Sequence, residues 1–286
     1  MPAEFPKAGE RDTVNVLGVA FDTLTIAEAI KLITTVAADP QSRPAYVVKP
    51  YVEFLDAAAK SSDVAALLSG AALSLPDGIA PIWAAHYLYA GPRTPARFIS
   101  SLVSIPLRPA PLFWPLPERI GGINFTMPLL EEAARLKLSV ALIGSPGHGD
   151  IARTAHYLST HVSGLKICAA LDGRDRASNP GTVNTDWTDD VARKLTSARA
   201  DIILVGMGFP LQERVMADLA GRLGHGVMIG EGGSFDFTAF GGTRPKAPRL
   251  IQRLNIEWLW RLILQPSRIT RQLAVPRVIY RVWRSR

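Results

Sequence analysis

Polar side chains accompany glycines in two segments of the sequence, GMGFPLQER and GEGGSFDF. The first contributes Gln212 and Glu213, and the second contributes Ser234 and Asp236. Glycine lets the backbone approach a ligand closely, and neighbouring amide or carboxylate groups can bind a base or a sugar hydroxyl. These segments therefore predict a binding site, although Asp236 could instead cap the next turn.

Two further segments could carry chemistry. Asp77 lies in SLPDGIAPIW, where a carboxylate before a helix is either a catalytic group or only an N-cap. The segment GSPGHG, from Gly144 to Gly149, could hold a phosphate against backbone N–H groups or form only a tight turn. Its spacing differs from the dinucleotide fingerprint G-x-G-x-x-G, so an NAD-linked Rossmann-type oxidoreductase is kept as the alternative.

Motifs for metal and nucleophile chemistry are absent from the sequence. The five histidines are scattered, D-x-D and H-E-x-x-H do not occur, and the single cysteine is Cys168. Walker A and G-x-S-x-G motifs are absent as well. The sequence therefore predicts neither a metal site nor a cofactor.

An alternation of apolar strands and amphipathic helices must position the candidate residues. SVALIGSP, ADIILVGMGFP and HGVMIGEGG are typical of buried strands, and helical segments such as LQERVMADLAGRLG stand between them. This alternation predicts a Rossmann-like α/β fold, a mostly parallel sheet covered by helices on both faces. Ligands of such sheets bind at the carboxyl ends of the strands, where the glycine-rich turns lie.

Positive charge is concentrated at the C-terminus. The 286 residues have a formal net charge of +7, and residues 244–286 hold 11 Lys or Arg against one acid, Glu257. An anionic partner at this end is therefore expected. Aromatic and aliphatic residues between the arginines favour an interfacial helix on an anionic membrane over a nucleic-acid arm. We predict an α/β catalytic domain over residues 1–243 and a basic amphipathic appendage over residues 244–286.

No segment offers the ~18–20 uncharged residues that a membrane-spanning helix needs. The nearest is Phe98–Pro117, which carries one arginine and five prolines, and we expect the prolines to exclude a regular helix there. The N-terminal residues are polar and lack the apolar core of a signal peptide. A cytoplasmic protein is therefore expected.

Several segments, in chain order, resemble the WecG/TagA/CpsF glycosyltransferases: LPDGIAPIWAA, PERIGGINF, ADIILVGMGFPLQERVMADLAGRL and IGEGGSFDFTAFGGTRPKAPRLIQRLNIEWLWRLILQPSRITRQ. The resemblance runs from about Val14 to about Leu273. It implies an inverting, metal-independent transfer of a sugar from a UDP-sugar to a polyprenyl-diphosphate-linked acceptor in bacterial exopolysaccharide or cell-surface polysaccharide assembly. It also implies a peripheral position on the inner face of the plasma membrane, and it leaves a homo-oligomer open.

The resemblance assigns roles to individual residues. It makes Asp77 the candidate base and places Gln212 beside it as a second catalytic candidate. The donor is expected to contact Lys49, Tyr51, Gly144, Gly206, Gly208, Glu213, Gly232, Gly233, Ser234 and Asp236. The acceptor and the diphosphates are expected to contact Arg119, Asn124, Arg261, Arg268 and Arg271. The last three match tail arginines thought to close over the site, so the tail is predicted to be both anchor and lid.

The sequence departs from the family pattern in three places. Lys49 and Tyr51 replace a Thr and an Asn expected at the sugar site, while Glu53 is kept. Asn124 stands where the family has an aspartate. The apolar, Pro-rich segment Gly91–Pro117 expands a loop that is short in the family. We expect this insert either to dip into the membrane interface or to form a packed lid or an oligomer contact.

Overall fold

The strands are short, mostly apolar runs that form two sheets. The structure is a computed structural model that describes residues 2–7, 9–144, 150–173, 183–266 and 269–285. Its strands are β1 (Thr13–Val16), β2 (Val19–Asp22), β3 (Ala45–Val48), β4 (Leu73–Ser74), β5 (Ser139–Gly144), β6 (Lys166–Asp172), β7 (Ile202–Gly206) and β8 (Val227–Gly230). The first two form an antiparallel hairpin, and the others form a six-stranded sheet in the order β4-β3-β8-β7-β5-β6. Every neighbouring pair in the larger sheet is parallel.

Helices cover both faces of the six-stranded sheet, which confirms the predicted Rossmann-like α/β fold. They are α1 (Ile26–Ala38), α2 (Val52–Ala58), α3 (Ser62–Ser69), α4 (Ile79–Tyr89), α5 (Pro95–Leu107), α6 (Ile123–Arg135), α7 (Ile151–His161), α8 (Thr185–Ala198) and α9 (Leu211–Ala220). Helices α1, α6 and α7 pack on one face, for example through Ile33, Leu129 and Leu158. Helices α2, α3, α4, α8 and α9 pack on the other. Strands β5, β7 and β8 are buried throughout because both of their faces are covered.

The prediction that prolines exclude a helix from the apolar insert is wrong for its first part. Helix α5 begins at Pro95, and the hydroxyl of the N-cap Thr94 accepts a hydrogen bond from the Arg97 N–H. Proline is tolerated in the first turn because its missing N–H would have had no helical acceptor. Only Pro106 lies further inside, in the last turn, and the other four prolines of the predicted segment follow the helix.

The C-terminal segment forms four helices within the described residues: α10 (Arg249–Arg253), α11 (Glu257–Leu264), α12 (Ile269–Gln272) and α13 (Ala274–Arg284). We call residues 249–273 the strap. Helix α13 packs on α2 and α4, and its Val278 and Val282 are buried in the core. The boundary predicted after residue 243 stays a prediction, but the last helix of the predicted appendage is part of the packed body. None of the helices in the described part of the chain has the length and apolar character needed to cross a membrane.

Candidate active site

Four neighbouring strands bring turns that are distant in sequence to one edge of the sheet. Strand β3 lies between β4 and β8, and β8 is followed by β7. Because all four are parallel, their carboxyl ends meet at the same edge, which we call the carboxyl edge. The turn after β8 is tied to β7, since the Glu231 N–H donates to the Val205 carbonyl oxygen at 2.7 Å. The predicted turns after residues 48, 74, 206 and 230 therefore share one site.

Asp77 is held at the carboxyl edge by its backbone. Its N–H donates to the Pro50 carbonyl oxygen at 3.0 Å. Helix α4 begins at Ile79 with Gly78 as N-cap, and no side chain caps it. Asp77 is therefore not the N-cap that the sequence left as an alternative. Among the described residues no hydrogen bond to the Asp77 carboxylate is formed, so its oxygens can accept one from a ligand hydroxyl.

Arg119 and Gly121 precede α6 in a loop that packs against the Asp77 turn. The Ile120 N–H donates to the carbonyl oxygen of the residue before Asp77 at 2.8 Å. A Cβ on Gly121 would lie 2.0 Å from Asp77 Oδ1, so the close approach requires glycine. The Arg119 guanidinium is paired with Oε2 of Glu257 in α11 at 2.6 Å, and both side chains are partly exposed. The structure thus brings Asp77, the predicted base, next to the loop that carries Arg119, the residue predicted to bind the diphosphate. Helix α11 of the strap contacts Arg119 through Glu257.

Gln212 lies buried in the first turn of α9 and braces the turn after β8. Its Oε1 accepts a hydrogen bond from the Gly232 N–H at 2.8 Å, and its Nε2 donates to Glu213 Oε1 at 2.7 Å. A Cβ on Gly230 would lie 2.7 Å from Gln212 Nε2, so a larger residue at the end of β8 would displace this amide. Both ends of the amide are therefore used within the protein. A catalytic contact of Gln212 stays a prediction.

The Glu213 carboxyl group is fully buried next to this brace. Burial raises its pKa to about 8, against the lowering effect of the hydrogen bond from Gln212. Its Oε2 has no hydrogen-bond partner among the described residues. Burial, together with the charge of Glu213, also raises the pKa of the Tyr46 hydroxyl. A largely protonated Glu213 suits a role in holding Gln212, and its predicted contact with the donor stays a prediction.

Lys49 forms a buried ion pair that the sequence reasoning did not anticipate. Its Nζ lies 2.7 Å from Glu231 Oε1, and the two side chains are 4% and 0% exposed. The Thr126 hydroxyl donates to the same carboxylate at 2.9 Å, and Lys49 Nζ lies 5.3 Å from the centre of the Phe125 ring. The acid of the GEGG segment, Glu231, could have indicated a buried ion pair, but the sequence does not show which cation pairs with it. Lys49 therefore joins the turns that follow β3 and β8 to α6, and its contact with the donor stays a prediction.

Ser234 and Asp236 lie in a short 3₁₀ helix that follows this turn. The Ser234 hydroxyl donates to the Glu231 carbonyl oxygen at 2.8 Å. Asp236 Oδ2 lies 2.7 Å from Arg244 Nη1, and the Arg244 N–H donates to the Asp236 carbonyl oxygen at 2.8 Å. The next short helix has no side-chain cap, so Asp236 does not cap it. Asp236 instead fixes the point where the C-terminal segment begins.

Tyr51 and Asn124 occupy two of the positions that depart from the family pattern. The Tyr51 hydroxyl donates to Glu53 Oε2 at 2.9 Å. A residue that differs from the family pattern is thus hydrogen-bonded to one that follows it. Asn124 Oδ1 accepts a hydrogen bond from Lys246 Nζ at 2.8 Å, which links the start of α6 to the C-terminal segment. Both side chains lie beside the carboxyl edge, and their contacts with substrate stay predictions.

The remaining predicted site residues are glycines and tail arginines. The glycines lie at the ends of β5, β7 and β8 or in the turns that follow: Gly144, Gly206, Gly208, Gly232 and Gly233. Arg271 is exposed in α12. Residues 145–149 and Arg268 lie outside the described residues, as does the Arg261 side chain. The phosphate turn and the roles of all three tail arginines stay predictions.

The charges at the carboxyl edge suit a ligand that carries both hydroxyl groups and negative charge. Asp77 can accept a hydrogen bond, and Arg119 supplies positive charge in the loop that packs against the Asp77 turn. Arg244 and Lys246 add positive charge beside Asp236 and Asn124. In the part of the chain that the structure describes, no three His, Cys, Asp or Glu side chains cluster closely enough to hold a metal ion.

The parallel sheet and the polar groups gathered at its carboxyl edge define a Rossmann-like α/β protein that binds its ligand at that edge. The family model described as the "Glycosyl transferase WecG/TagA/CpsF family" matches residues 14–108 and 110–286. The chain therefore belongs to this glycosyltransferase family, which confirms the resemblance found in the sequence.

Two relatives carry the same name, N-acetylglucosaminyldiphosphoundecaprenol N-acetyl-beta-D-mannosaminyltransferase. The one from Bacillus spizizenii is 27% identical over 239 residues, which cover 84% of this chain and 79% of the relative. The one from Staphylococcus aureus is 25% identical over 270 residues, which cover 94% of this chain and 91% of the relative. The similarity therefore extends over both the sheet and the C-terminal segment.

Proposed function

We propose that this protein transfers a sugar from a UDP-sugar to a polyprenyl-diphosphate-linked saccharide, with inversion and without a metal ion. The family membership and the names of the relatives support the reaction class and the kind of acceptor. The observation that carries the proposal is Asp77, a carboxylate at the carboxyl edge that is neither a helix cap nor hydrogen-bonded to the described residues.

Asp77 acts as the general base in this mechanism. It takes the proton of the acceptor hydroxyl as that oxygen forms a bond to the anomeric carbon of the donor sugar. The bond from that carbon to the UDP oxygen breaks, and UDP leaves with the electron pair. Attack from the face opposite to UDP inverts the anomeric configuration.

Arg119 stabilises the negative charge that develops on the leaving UDP. A guanidinium binds phosphate oxygens in a bidentate, charge-assisted manner, which suits a departing diphosphate. In this structure the Glu257 carboxylate forms an ion pair with the Arg119 guanidinium. A diphosphate carries more charge than a carboxylate, so the substrate displaces Glu257 and shifts α11.

The transferred sugar is proposed to be a hexose or an N-acetylhexosamine. The relatives are named for transfer of N-acetylmannosamine to N-acetylglucosaminyl-diphosphoundecaprenol. In this chain Lys49 and Tyr51 stand at the predicted sugar site, and both side chains are engaged by carboxylates of the protein. A donor different from that of the relatives is compatible with this change.

The strap supports action at a membrane surface, and we propose that this surface is the cytoplasmic face of the membrane. Its exposed large apolar side chains are Leu250, Trp258, Leu259, Ile263, Leu264, Ile269 and Leu273. They stand between arginines, a composition that binds the interface of an anionic leaflet. A lipid-linked acceptor would reach the carboxyl edge from such a surface, because α11 of the strap lies on Arg119.

A panel of UDP-sugars with a short-chain lipid-diphosphate acceptor tests the proposal. The purified chain should release UDP with at least one donor in an acceptor-dependent manner. Asp77→Asn should reduce kcat by a factor on the order of 10²–10⁴, which is the typical contribution of a general base. Asp190→Asn, which changes an exposed carboxylate on α8, is the matched control. Full kcat in Asp77→Asn would exclude Asp77 as the base.

A further inference from the structure

Helix α5 of the insert has an inner face that belongs to the core. Its Phe98 packs against Trp83 of α4 and Trp283 of α13, with ring centres 5.9 and 4.8 Å apart. The Ser101 hydroxyl accepts a hydrogen bond from Trp83 Nε1 at 2.9 Å. These contacts fix the orientation of α5, so its outer face is presented in a defined direction. Deleting the insert would damage the core, and point substitutions on the outer face are the better probe.

The outer face of α5 is apolar and uncovered. Ile99, Val103 and Leu107 are 62%, 50% and 75% exposed. They are spaced by four residues, so they line one side of the helix, and we call them the ridge. Isolated exposed apolar residues are common on protein surfaces, but an aligned group on a helix of defined orientation marks an interaction surface.

The polar groups next to the ridge are already hydrogen-bonded within the helix. The Ser100 hydroxyl donates to the Arg97 carbonyl oxygen at 3.0 Å, and the Ser104 hydroxyl donates to the Ser100 carbonyl oxygen at 2.8 Å. A hydroxyl that is satisfied in this way costs less to move out of water. The ridge side of α5 can therefore enter an apolar phase without leaving these hydroxyl protons unpaired.

The charges around the ridge indicate what covers it. Residues 91–117 contain three arginines and no acid, and Arg108 is exposed at the C-terminal end of α5. The basic strap lies beside the same end, since Asn255 Nδ2 donates to the Ile105 carbonyl oxygen at 3.1 Å. A second copy would oppose arginines to arginines, whereas an anionic bilayer offers both negative headgroups and hydrocarbon.

We propose that the ridge inserts into the hydrocarbon boundary of an anionic bilayer, as a membrane contact separate from the strap. The proposal rests on the proposed function only in placing the protein at a membrane, and it is independent of the sugar transferred. Because α5 packs on α4, which begins two residues after Asp77, the contact would hold the carboxyl edge at a fixed height above the bilayer.

Flotation of the full chain with vesicles tests the ridge. The vesicles are phosphatidylcholine alone or phosphatidylcholine with phosphatidylglycerol. Combined Ile99→Ser, Val103→Ser and Leu107→Ser should weaken binding to the anionic vesicles on the order of 10- to 100-fold. The single change Leu107→Ser should weaken it several-fold. The matched control is Leu136→Ser, which alters a leucine that is 38% exposed at the C-terminal end of α6 and should leave binding unchanged.

A fluorescence measurement covers the case in which the triple variant folds poorly. An environment-sensitive fluorophore is attached through Val103→Cys, or through Leu136→Cys as control, after Cys168→Ala removes the native thiol. Anionic vesicles should shift the emission to shorter wavelength at position 103 and not at position 136. Equal binding of Leu107→Ser and the unchanged chain, no shift at position 103, or a shift that follows protein concentration without vesicles would overturn the proposal. UDP release with a short-chain acceptor is read separately, so its loss would count against the proposed function alone.

Discussion

Replacing Lys49 with methionine would test the buried ion pair beneath the carboxyl edge. Lys49 and Glu231 are joined at 2.7 Å with almost no exposure, and the Thr126 hydroxyl completes the contacts of the carboxylate. Methionine has a similar length and no charge, so Lys49→Met leaves Glu231 as a buried anion without its cation. We expect the free energy of unfolding to fall by ~3–5 kcal/mol, the usual cost of breaking a buried pair from one side.

The magnitude follows from the depth of the pair. Two charges 2.7 Å apart attract by about 6 kcal/mol at an effective dielectric constant of about 20. Desolvation offsets part of this attraction when the pair forms, and the desolvation cost of the partner that remains is not recovered when the other is removed. The exposed pair Arg193–Asp190, at 3.2 Å with side chains 77% and 41% exposed, supplies the control. Arg193→Gln should lower the free energy of unfolding far less than Lys49→Met does, because exposed ion pairs are screened by water and salt.

Urea unfolding followed by circular dichroism gives the comparison. It should be measured for Lys49→Met, Glu231→Gln, the double variant and Arg193→Gln. Each single change at the buried pair should be costly, and the double variant should lose clearly less than the sum of the two, because it has no orphaned charge. A loss below about 1 kcal/mol in Lys49→Met, or additive effects in the double variant, would refute the reasoning.

Two further predictions concern the other acids of the site. Glu257→Gln removes the charge that competes for Arg119, so the KM for the UDP-sugar should fall with little change in kcat, and an unchanged KM would show that the pair does not compete. The folded-state pKa of Glu213 is raised from 4.5 to about 8, so its contribution to stability is full below the unfolded value and is lost as the pH rises through the folded one. Between these two pKa values the free energy of unfolding of the unchanged protein should therefore include a decline of about 1.4 kcal/mol per pH unit, and Glu213→Gln should remove it. Unfolding free energies measured across this pH range test the prediction, and the same dependence on pH in both proteins would contradict it.

The fold could be predicted because its signals are local. Apolar runs such as ADIILVG and HGVMIG give strands, amphipathic segments give helices, and their alternation requires parallel pairing. The order of the strands could not be read in this way, since β3 joins β8 across most of the chain. The five prolines of Phe98–Pro117 argue against a helix only if their number is considered without their positions. Four of the five lie beyond Leu107, where α5 ends. Position within a helix decides whether proline is tolerated.

The site could be predicted only in part, for a related reason. Residue types and the family resemblance led to Asp77, Arg119 and Gln212, which the structure places at one edge of the sheet. Neither could show that Gln212 uses both ends of its amide within the protein. The partner of Lys49 lies 182 residues away, so no local pattern could identify it. Long-range partners decide whether a polar residue faces the ligand or supports those that do.

The chain is held in place on both sides of the strap, which limits how the strap could act as the predicted anchor and lid. Before the strap, Arg244 is paired with Asp236. After it, α13 is held on Asp56, whose carboxylate contacts Arg277 and Arg281. Burial raises the pKa of Asp56, but the hydrogen bonds of Arg277 and the neighbouring Lys60 outweigh it and hold the pKa below its ordinary value. The carboxylate therefore stays charged and keeps its hold on α13 at neutral pH.

The contacts between these two attachments are weaker. The pair Arg119–Glu257 is partly exposed and contributes about 0–1 kcal/mol, as exposed ion pairs do. Releasing α13 would instead uncover Val278 and Val282, at roughly 1.5–3 kcal/mol each. A diphosphate that binds Arg119 therefore displaces α11 more readily than it frees α13. We therefore predict that the proposed lid opens by a local shift of the strap while both of these attachments hold. Such a shift would let a membrane-bound protein complete a cycle of substrate binding and release without leaving the membrane.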